Sequence, residues 1–387
     1  MGSSNKLYTI IVIILLYFAA FASGGVYNSV ALYLVIPCAF VITFFSTGAT
    51  KVNRYYRNLM ILYFWVFYAA LFTTNLEPSI AQLKQILGCI IMCYIVAVQA
   101  KNEKTIPWLY IIYLITYVMS VNYVIENVIG VIEVGDERME DDNMNANALA
   151  YSTFYDTFIL FILGEIIQGE KLRKLFRVLF WGIIPLFLWI AYVTASRQVM
   201  VIQIPLIAIL IFLRYWKFGG NASRTLLVVM LCFVAPFVYQ YVWSIFDNSL
   251  LIERSEDISN DARLVLIKET IDLGFHNFLV GVGPGCVKLY TSEQAFAHNS
   301  YLELFAGTGF IGMVIFIVLL CKYLAAQVRR YIAYRDKAYL YFAVFGIFFI
   351  IDQIFYVFYA DLYLISFFIL VATHSETYHQ KRMGVNM

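Results

Sequence analysis

Apolar residues in this chain recur in continuous runs, not in alternation, and the runs are about 15 to 22 residues long, enough for helices to cross a hydrocarbon core of about 30 Å. Continuous runs of that length predict helices and exclude the alternating pattern of a barrel. They place crossings at 7–23, 30–47, 58–73, 80–99, 106–124 and 147–166 in the first half. The second half adds 177–195, 198–213, 225–244, 300–320, 339–357 and 361–374. The expected fold is an all-α polytopic integral membrane protein, a single transmembrane domain over 1–387 with about twelve transmembrane helices. Between the ninth and tenth helices lies a partly helical loop, 245–299.

Composition agrees with that pattern. The chain is 62% hydrophobic and 13% charged, against about 25% charged in soluble domains. The formal net charge of +2 gives no basis for nucleic-acid binding; the distribution of the charges is more informative. Most of the 27 basic residues fall in alternate gaps, beginning with Lys6, then Lys51, Arg54 and Arg57, and recurring at Lys171 to Arg177 and at Arg329 to Lys337. By the rule that Lys and Arg near helix ends stay cytoplasmic, both termini are expected inside and the 245–299 loop outside. Lys6, a short apolar stretch and Ala20-Phe21-Ala22 resemble a signal peptide, but an uncleaved first helix is the expectation.

The six cysteines are scattered and suggest no disulfide framework; Cys286 alone falls outside the apolar runs. Cys89 and Cys93 share a helix face and are read as packing residues. No two of the four histidines have ligand spacing, so no metal or cofactor is expected. His374 and His379 are read as solvated residues of a cytoplasmic tail.

The polar chemistry concentrates in the outward gaps. The first, 126–147, is an acidic stretch with Arg138 embedded in it; its plain reading is a solvated loop, but Asn145 and Asn147 beside the sixth helix offer amide donors and acceptors at the membrane surface. In the second, Ser259, Asn260 or Asp261 caps a helix from Ala262, with Leu264, Ile267 and Ile271 on one face and Gly274 at its end. Arg263 lies in the first turn, where a cation opposes the helix dipole; it meets either an anionic partner or a carboxylate such as Glu256 or Asp257. His298 and Asn299 precede Ser300-Tyr301-Leu302-Glu303, a capping-box spacing that opens the tenth helix. A positive helix end beside His298 favours the neutral imidazole, which can act as a base; a loop hydrogen bond is the plainer role. Gly307, Gly309 and Gly312 predict close packing of this helix on a neighbour.

Arg197 sits in the tight turn Thr194-Ala195-Ser196-Arg197-Gln198, where it either reaches lipid phosphate or binds a substrate phosphate. Lys84, near Gln82 and Gln85, is placed inside the outer end of the fourth helix and lines a candidate cavity. Asp156 and the Asp352-Gln353 pair are polar positions within the bundle with which Lys84 could pair.

The order of that Ser-Arg turn, a long loop with an early Arg263, the stretch Gly281-Val282-Gly283-Pro284-Gly285 and then Ala297-His298-Asn299-Ser300 through Gly312 resembles the O-antigen ligase and O-antigen polymerase family. The resemblance is specific over about 190–315 and weaker at Asn145-Ala146-Asn147, where the family often carries a proline in the middle. It implies a membrane glycosyltransferase similar to metal-independent members of the GT-C superfamily. Such enzymes act at the outer, periplasmic or extracellular, face of the bacterial inner membrane. They move glycan from an undecaprenyl diphosphate carrier to an acceptor hydroxyl, either of a lipid-linked repeat or of the lipid A core. Carried over by motif, Arg197 and Arg263 match the diphosphate-binding arginines and His298 the proposed base. Lys84, Arg138, Asn145, Asn147 and Asn299 are further candidates for the substrate cavity.

The reading favoured is a repeat-unit polymerase for O-antigen, capsule or exopolysaccharide, in contact with membrane lipids and with a chain-length regulator as a possible partner. The alternatives are an O-antigen ligase and a twelve-helix transporter or flippase. A transporter typically shows internal repeats and polar residues at the midplane, and no repeat joins the two halves here.

Overall fold

The computed structural model describes residues 3–22, 28–47, 52–73, 75–128, 146–167, 169–193, 199–222, 224–225, 228 and 262–384. Among these residues every regular element is helical. The helices are α1 (Ser3–Ala22), α2 (28–47), α3 (Arg54–Ala70), α4 (Leu76–Gln99), α5 (Ile106–Val128), α6 (Ala146–Ile166) and α7 (Glu170–Val193). They continue as α8 (199–217), α9 (Ala262–His276), α10 (Ser300–Tyr334), α11 (Lys337–Asp352) and α12 (Leu362–Arg382). Each predicted crossing except the ninth falls on one of them; the ninth, 225–244, lies almost wholly outside the described residues.

Two helices widen ahead of a proline. A π turn at Ala31–Val35 precedes Pro37, and another at Val199–Gln203 precedes Pro205. A proline lacks the amide N–H and collides with the carbonyl four residues back, and the wider turn makes room for the ring. By length and composition, Leu76–Gln99 and Ser300–Tyr334 are apolar enough to cross a membrane, and Lys6–Phe21, Ala31–Ser46 and Ile106–Met119 are shorter apolar helices. This all-helical architecture is consistent with a membrane protein.

The last helix is the centre of the bundle. Every residue from 364 to 375 is buried. The ring of Phe367 lies 5.3 Å from Tyr113, 5.4 Å from Tyr155 and 5.8 Å from Phe345, which brings α5, α6 and α11 onto α12. The Tyr113 hydroxyl donates to Ser366 Oγ at 2.6 Å. The expectation of a solvated histidine tail is overturned, because α12 runs on to Arg382 and docks its final turns on its neighbours. His374 is buried with Nδ1 3.0 Å from the Tyr110 hydroxyl, and His379 Nδ1 lies 2.9 Å from the Tyr339 hydroxyl. Cys286, the one cysteine outside the apolar runs, is fully buried as well.

The α10–α11 pair fixes the axis of the bundle. The N–H of Ser300, at the start of α10, donates to the Gln353 carbonyl just past the end of α11 at 2.8 Å. The two helices are therefore antiparallel, and Lys337 lies at the far end from Ser300. Every ion pair among the described residues lies at that far end. Arg54 and Arg330 meet Glu376, Lys381 meets Glu103, Arg382 meets Asp336, Lys174 meets Glu170, and Arg177, Arg214 and Lys337 meet Glu165. The basic gaps read from the sequence thus converge at one end of the molecule.

Candidate active site

The Gly281–Gly285 stretch is stitched into a break in α10. Within that helix Gly309 takes φ 78° and ψ 176°, which interrupts the helical ladder. Phe310 N–H, which an unbroken helix would direct to Ala306, donates instead to the Phe278 carbonyl at 2.7 Å. The carbonyls so released accept from the loop, Ala306 from Val282 N–H and Gly307 from Gly283 N–H, both at 2.9 Å. These exchanges satisfy backbone groups that the break would otherwise orphan.

Contact this close requires glycine on both sides. A Cβ on Gly281 would lie 2.4 Å from the Gly307 carbonyl carbon, and one on Gly309 would lie 2.0 Å from the Leu279 oxygen. Gly307 and Gly309 therefore receive the loop, whereas the sequence predicted a packed neighbouring helix. Only Gly312 serves that role, through Trp65 of α3.

A second clamp holds the loop from the turn between α3 and α4. The Thr73 hydroxyl donates to the Val282 carbonyl at 3.1 Å, and Asn75 Nδ2 donates to the Tyr290 hydroxyl at 2.9 Å. Cys286 Sγ donates to the Asn75 carbonyl at 3.3 Å, and Trp65 Nε1 donates to the Thr308 carbonyl at 2.8 Å. Val282, Cys286, Val287 and Ala306 form a small separate core beneath the loop. Sequence reasoning missed this clamp. Its only trace was a Thr73-Thr74-Asn75 hairpin tip, a composition that many turns share.

His298 leads directly from this loop into α10. It is half-buried with φ 50°, a left-handed conformation that non-glycine residues adopt rarely and that clusters at functional sites. It is held from both sides. On one side the Ala297 N–H donates to Glu303 Oε1 at 2.9 Å; on the other, Asn299 Oδ1 accepts from Tyr301 and Leu302 N–H at 3.0 and 3.1 Å. Asn299 is thus the N-cap, one residue earlier than the predicted capping box placed it, and Glu303 braces the residue before the histidine. Ser300 is occupied elsewhere: its hydroxyl donates to the Tyr356 carbonyl and accepts from Phe358 N–H. The imidazole-bearing residue therefore stands at the positive end of the first segment of α10, Ser300 to Thr308, on a backbone with little freedom.

The remaining candidates are placed unevenly. Arg263 lies in the first turn of α9, with its side chain outside the described residues. Asn147 lies likewise in the first turn of α6, and Arg197, Arg138 and Asn145 lie outside the described residues entirely. Lys84 is an exposed position of α4 and pairs with neither Asp156, which is buried, nor Asp352. Gln82 instead packs beneath Gly285. Of the candidate set, the described geometry brings His298 and Asn299 together.

The face of α9 also differs from the expected one. Leu266 and Thr270 are its buried residues, followed by Gly274, while Leu264 is exposed and Ile267 and Ile271 are only half-buried. Gly274 does not end the helix; it lies against the ring of Phe305 in α10, where a Cβ would come within 2.4 Å. Glu269 then ties α9 to the loop by accepting from Ser292 N–H at 2.9 Å. This arrangement fixes the helix carrying Arg263 against the helix that follows His298.

Comparison with known families adds one match. Residues 182–317 match the family described as O-antigen ligase. That interval contains the Arg197 turn, α9, the glycine loop and the broken start of α10, and the match supports the O-antigen ligase and polymerase family for this chain. No curated protein matches the chain significantly.

Proposed function

We propose, with the O-antigen ligase match over 182–317 as premise, that the chain is a membrane glycosyltransferase. It transfers glycan from an undecaprenyl diphosphate carrier to the hydroxyl of a second, lipid-linked glycan. The observation that carries this reading is His298, held left-handed between two backbone braces at the N-terminal end of α10, the helix against which the one bearing Arg263 packs. A rigid base at the edge of a helical bundle suits a reaction in which a hydroxyl must be deprotonated as it attacks.

The steps balance as follows. His298 takes the proton of the acceptor hydroxyl while its oxygen attacks the anomeric carbon in line. The bond from that carbon to the phosphate oxygen breaks, the electron pair leaves with the lipid diphosphate, and the configuration inverts. Charge grows on the departing oxygen, and fixed guanidinium groups from Arg197 and Arg263 stabilise it more effectively in a low-dielectric site than in water. Because each would grip the diphosphate through a planar fork, lysine is a poor substitute. The reaction belongs at the end of the bundle that carries His298, on the outer face of the membrane.

A second reading, ligation of a finished polymer to the lipid A core, is favoured by the description of the matched family. The two differ in acceptor, so one assay serves both. Purified protein is given lipid-linked repeat units, or lipid-linked polymer with core-bearing lipid A, without nucleotide or an ion gradient. A ladder from repeat units alone is expected, with Arg263→Lys losing most of it. A product only with lipid A would select the ligase, and no product with either acceptor would remove the glycosyltransferase reading.

A further inference from the structure

At the far end of the bundle from His298, three cations converge on one carboxylate. The Glu165 side chain is only 3% exposed. Lys337 Nζ lies 2.8 Å from its Oε2 and Arg177 Nη2 3.1 Å from its Oε1, where Arg214 Nε also binds. Three positive charges against one negative, from residues on α6, α7, α8 and α11, leave two uncompensated among the described residues. Arg177 also donates to the Gly164 carbonyl at 2.9 Å. The guanidinium of Arg214 binds Glu165 through Nε and lies over the ring of Tyr215, 5.4 Å from its centroid.

A second, independent observation points to the same place. The hydroxyl of Tyr341 is completely buried without a hydrogen-bond partner, and it sits within electrostatic reach of Glu165, Arg214 and Arg177. A buried hydroxyl normally finds a partner, because leaving it unpaired costs about 1 to 3 kcal/mol. A donor hydroxyl and spare guanidinium and ammonium protons around two unbalanced charges are what a phosphate would satisfy.

The flanking surface tells what bears the phosphate. Val178 on α7 and Phe212 and Trp216 on α8 are exposed apolar side chains bordering Arg177 and Arg214 in sequence, and the Phe212 and Trp216 rings stack at 6.0 Å. Charged groups at a helix end above an apolar, outward-facing surface match a phospholipid, with its headgroup on the cations and its acyl chains along the helices. We infer that the cluster of Arg177, Arg214, Lys337 and Tyr341 around Glu165 binds the phosphate headgroup of an anionic phospholipid and joins four helices through it.

The test uses the full-length protein in a neutral detergent, with phosphatidylglycerol, phosphatidylcholine and inorganic phosphate as probes. Bound lipid is counted by native mass spectrometry and stability is followed by thermal unfolding. Phosphatidylglycerol should remain bound and raise the unfolding temperature, and the other two should not. Arg214→Gln and Lys337→Gln should each weaken its apparent affinity by about fivefold, the worth of one cation at an anionic surface. Lys174→Gln, on an exposed residue of the same end, should leave it unchanged. Tyr341→Phe, which keeps ring and fold, should weaken retention, and it decides the matter if the charge variants do not fold. Wild-type retention of phosphatidylglycerol in Tyr341→Phe and in the charge variants that fold would overturn the site. Equal stabilisation by inorganic phosphate would overturn the lipid as its occupant.

Discussion

Around His298 the carboxylates accept from backbone amides: Glu303 from Ala297, Glu269 from Ser292, and Asp361 from Tyr363 and Leu364. At the opposite end Glu165, Asp336 and Glu376 face cations instead. The first arrangement fixes backbone geometry to a fraction of an ångström and leaves no described cation neutralised. The second ties helices together by charge. A catalytic base, the role proposed for His298, needs a backbone that does not drift. An end that keeps helices in register does not. The difference between the two ends is thus the difference between positioning and fastening.

Perturbing the positioning end should have the larger effect. Gly309→Ala places a Cβ against the Leu279 carbonyl at a φ that L residues rarely adopt. It should cost about 3 kcal/mol and detach the glycine loop from α10. Thermal unfolding in detergent measures the loss, with Gly220→Ala, where nothing lies within 4 Å, as the control. An unchanged unfolding temperature in Gly309→Ala would mean that the break in α10 is not needed.

The fastening end should respond less. Glu165→Gln leaves three cations around a neutral amide, yet these cations are 20 to 39% exposed and water can take up part of the repulsion. The expected loss is about 2 kcal/mol, below the 3 to 5 kcal/mol typical of a fully buried broken pair. A loss larger than that of Gly309→Ala would reverse the comparison. Smallest is the effect of His379, whose pKa is lowered by burial and then by Arg330. A lowered folded value means the neutral form is preferred, so its contribution is present above the ordinary histidine range and fades as the pH falls through it. His379→Gln should flatten the acid side of the stability profile slightly and leave the neutral side alone.

Much of this was legible in the sequence. Long apolar runs mark helices because each must bury a continuous face, and basic gaps collect at one end because charge at helix ends resists burial. The start of α10 was legible to within one residue, since an Asn and a Ser in succession both suit a cap and only the packing of Ser300 on Tyr356 and Phe358 decides between them. The break at Gly309 was not legible. A glycine inside an apolar run usually signals close helix packing, and its left-handed backbone depends on a loop that begins nearly thirty residues earlier, at Gly281. Nor was the buried tail of α12, because His374 and His379 look solvated until Tyr110 and Tyr339, distant in sequence, are brought beside them.

The central claim is that His298 removes a proton, and one assay addresses it most directly. Glycan ladders are followed from purified lipid-linked repeat units, together with donor binding, for wild type, His298→Ala and His298→Gln. If His298 is the base, both variants should fold and bind donor, and turnover should fall by about 10² to 10⁴ in each. The wild-type rate should also decline at acid pH as the imidazole takes up a proton. Chain extension by His298→Gln at the wild-type rate would contradict the account and leave His298 as a structural element of the α10 cap.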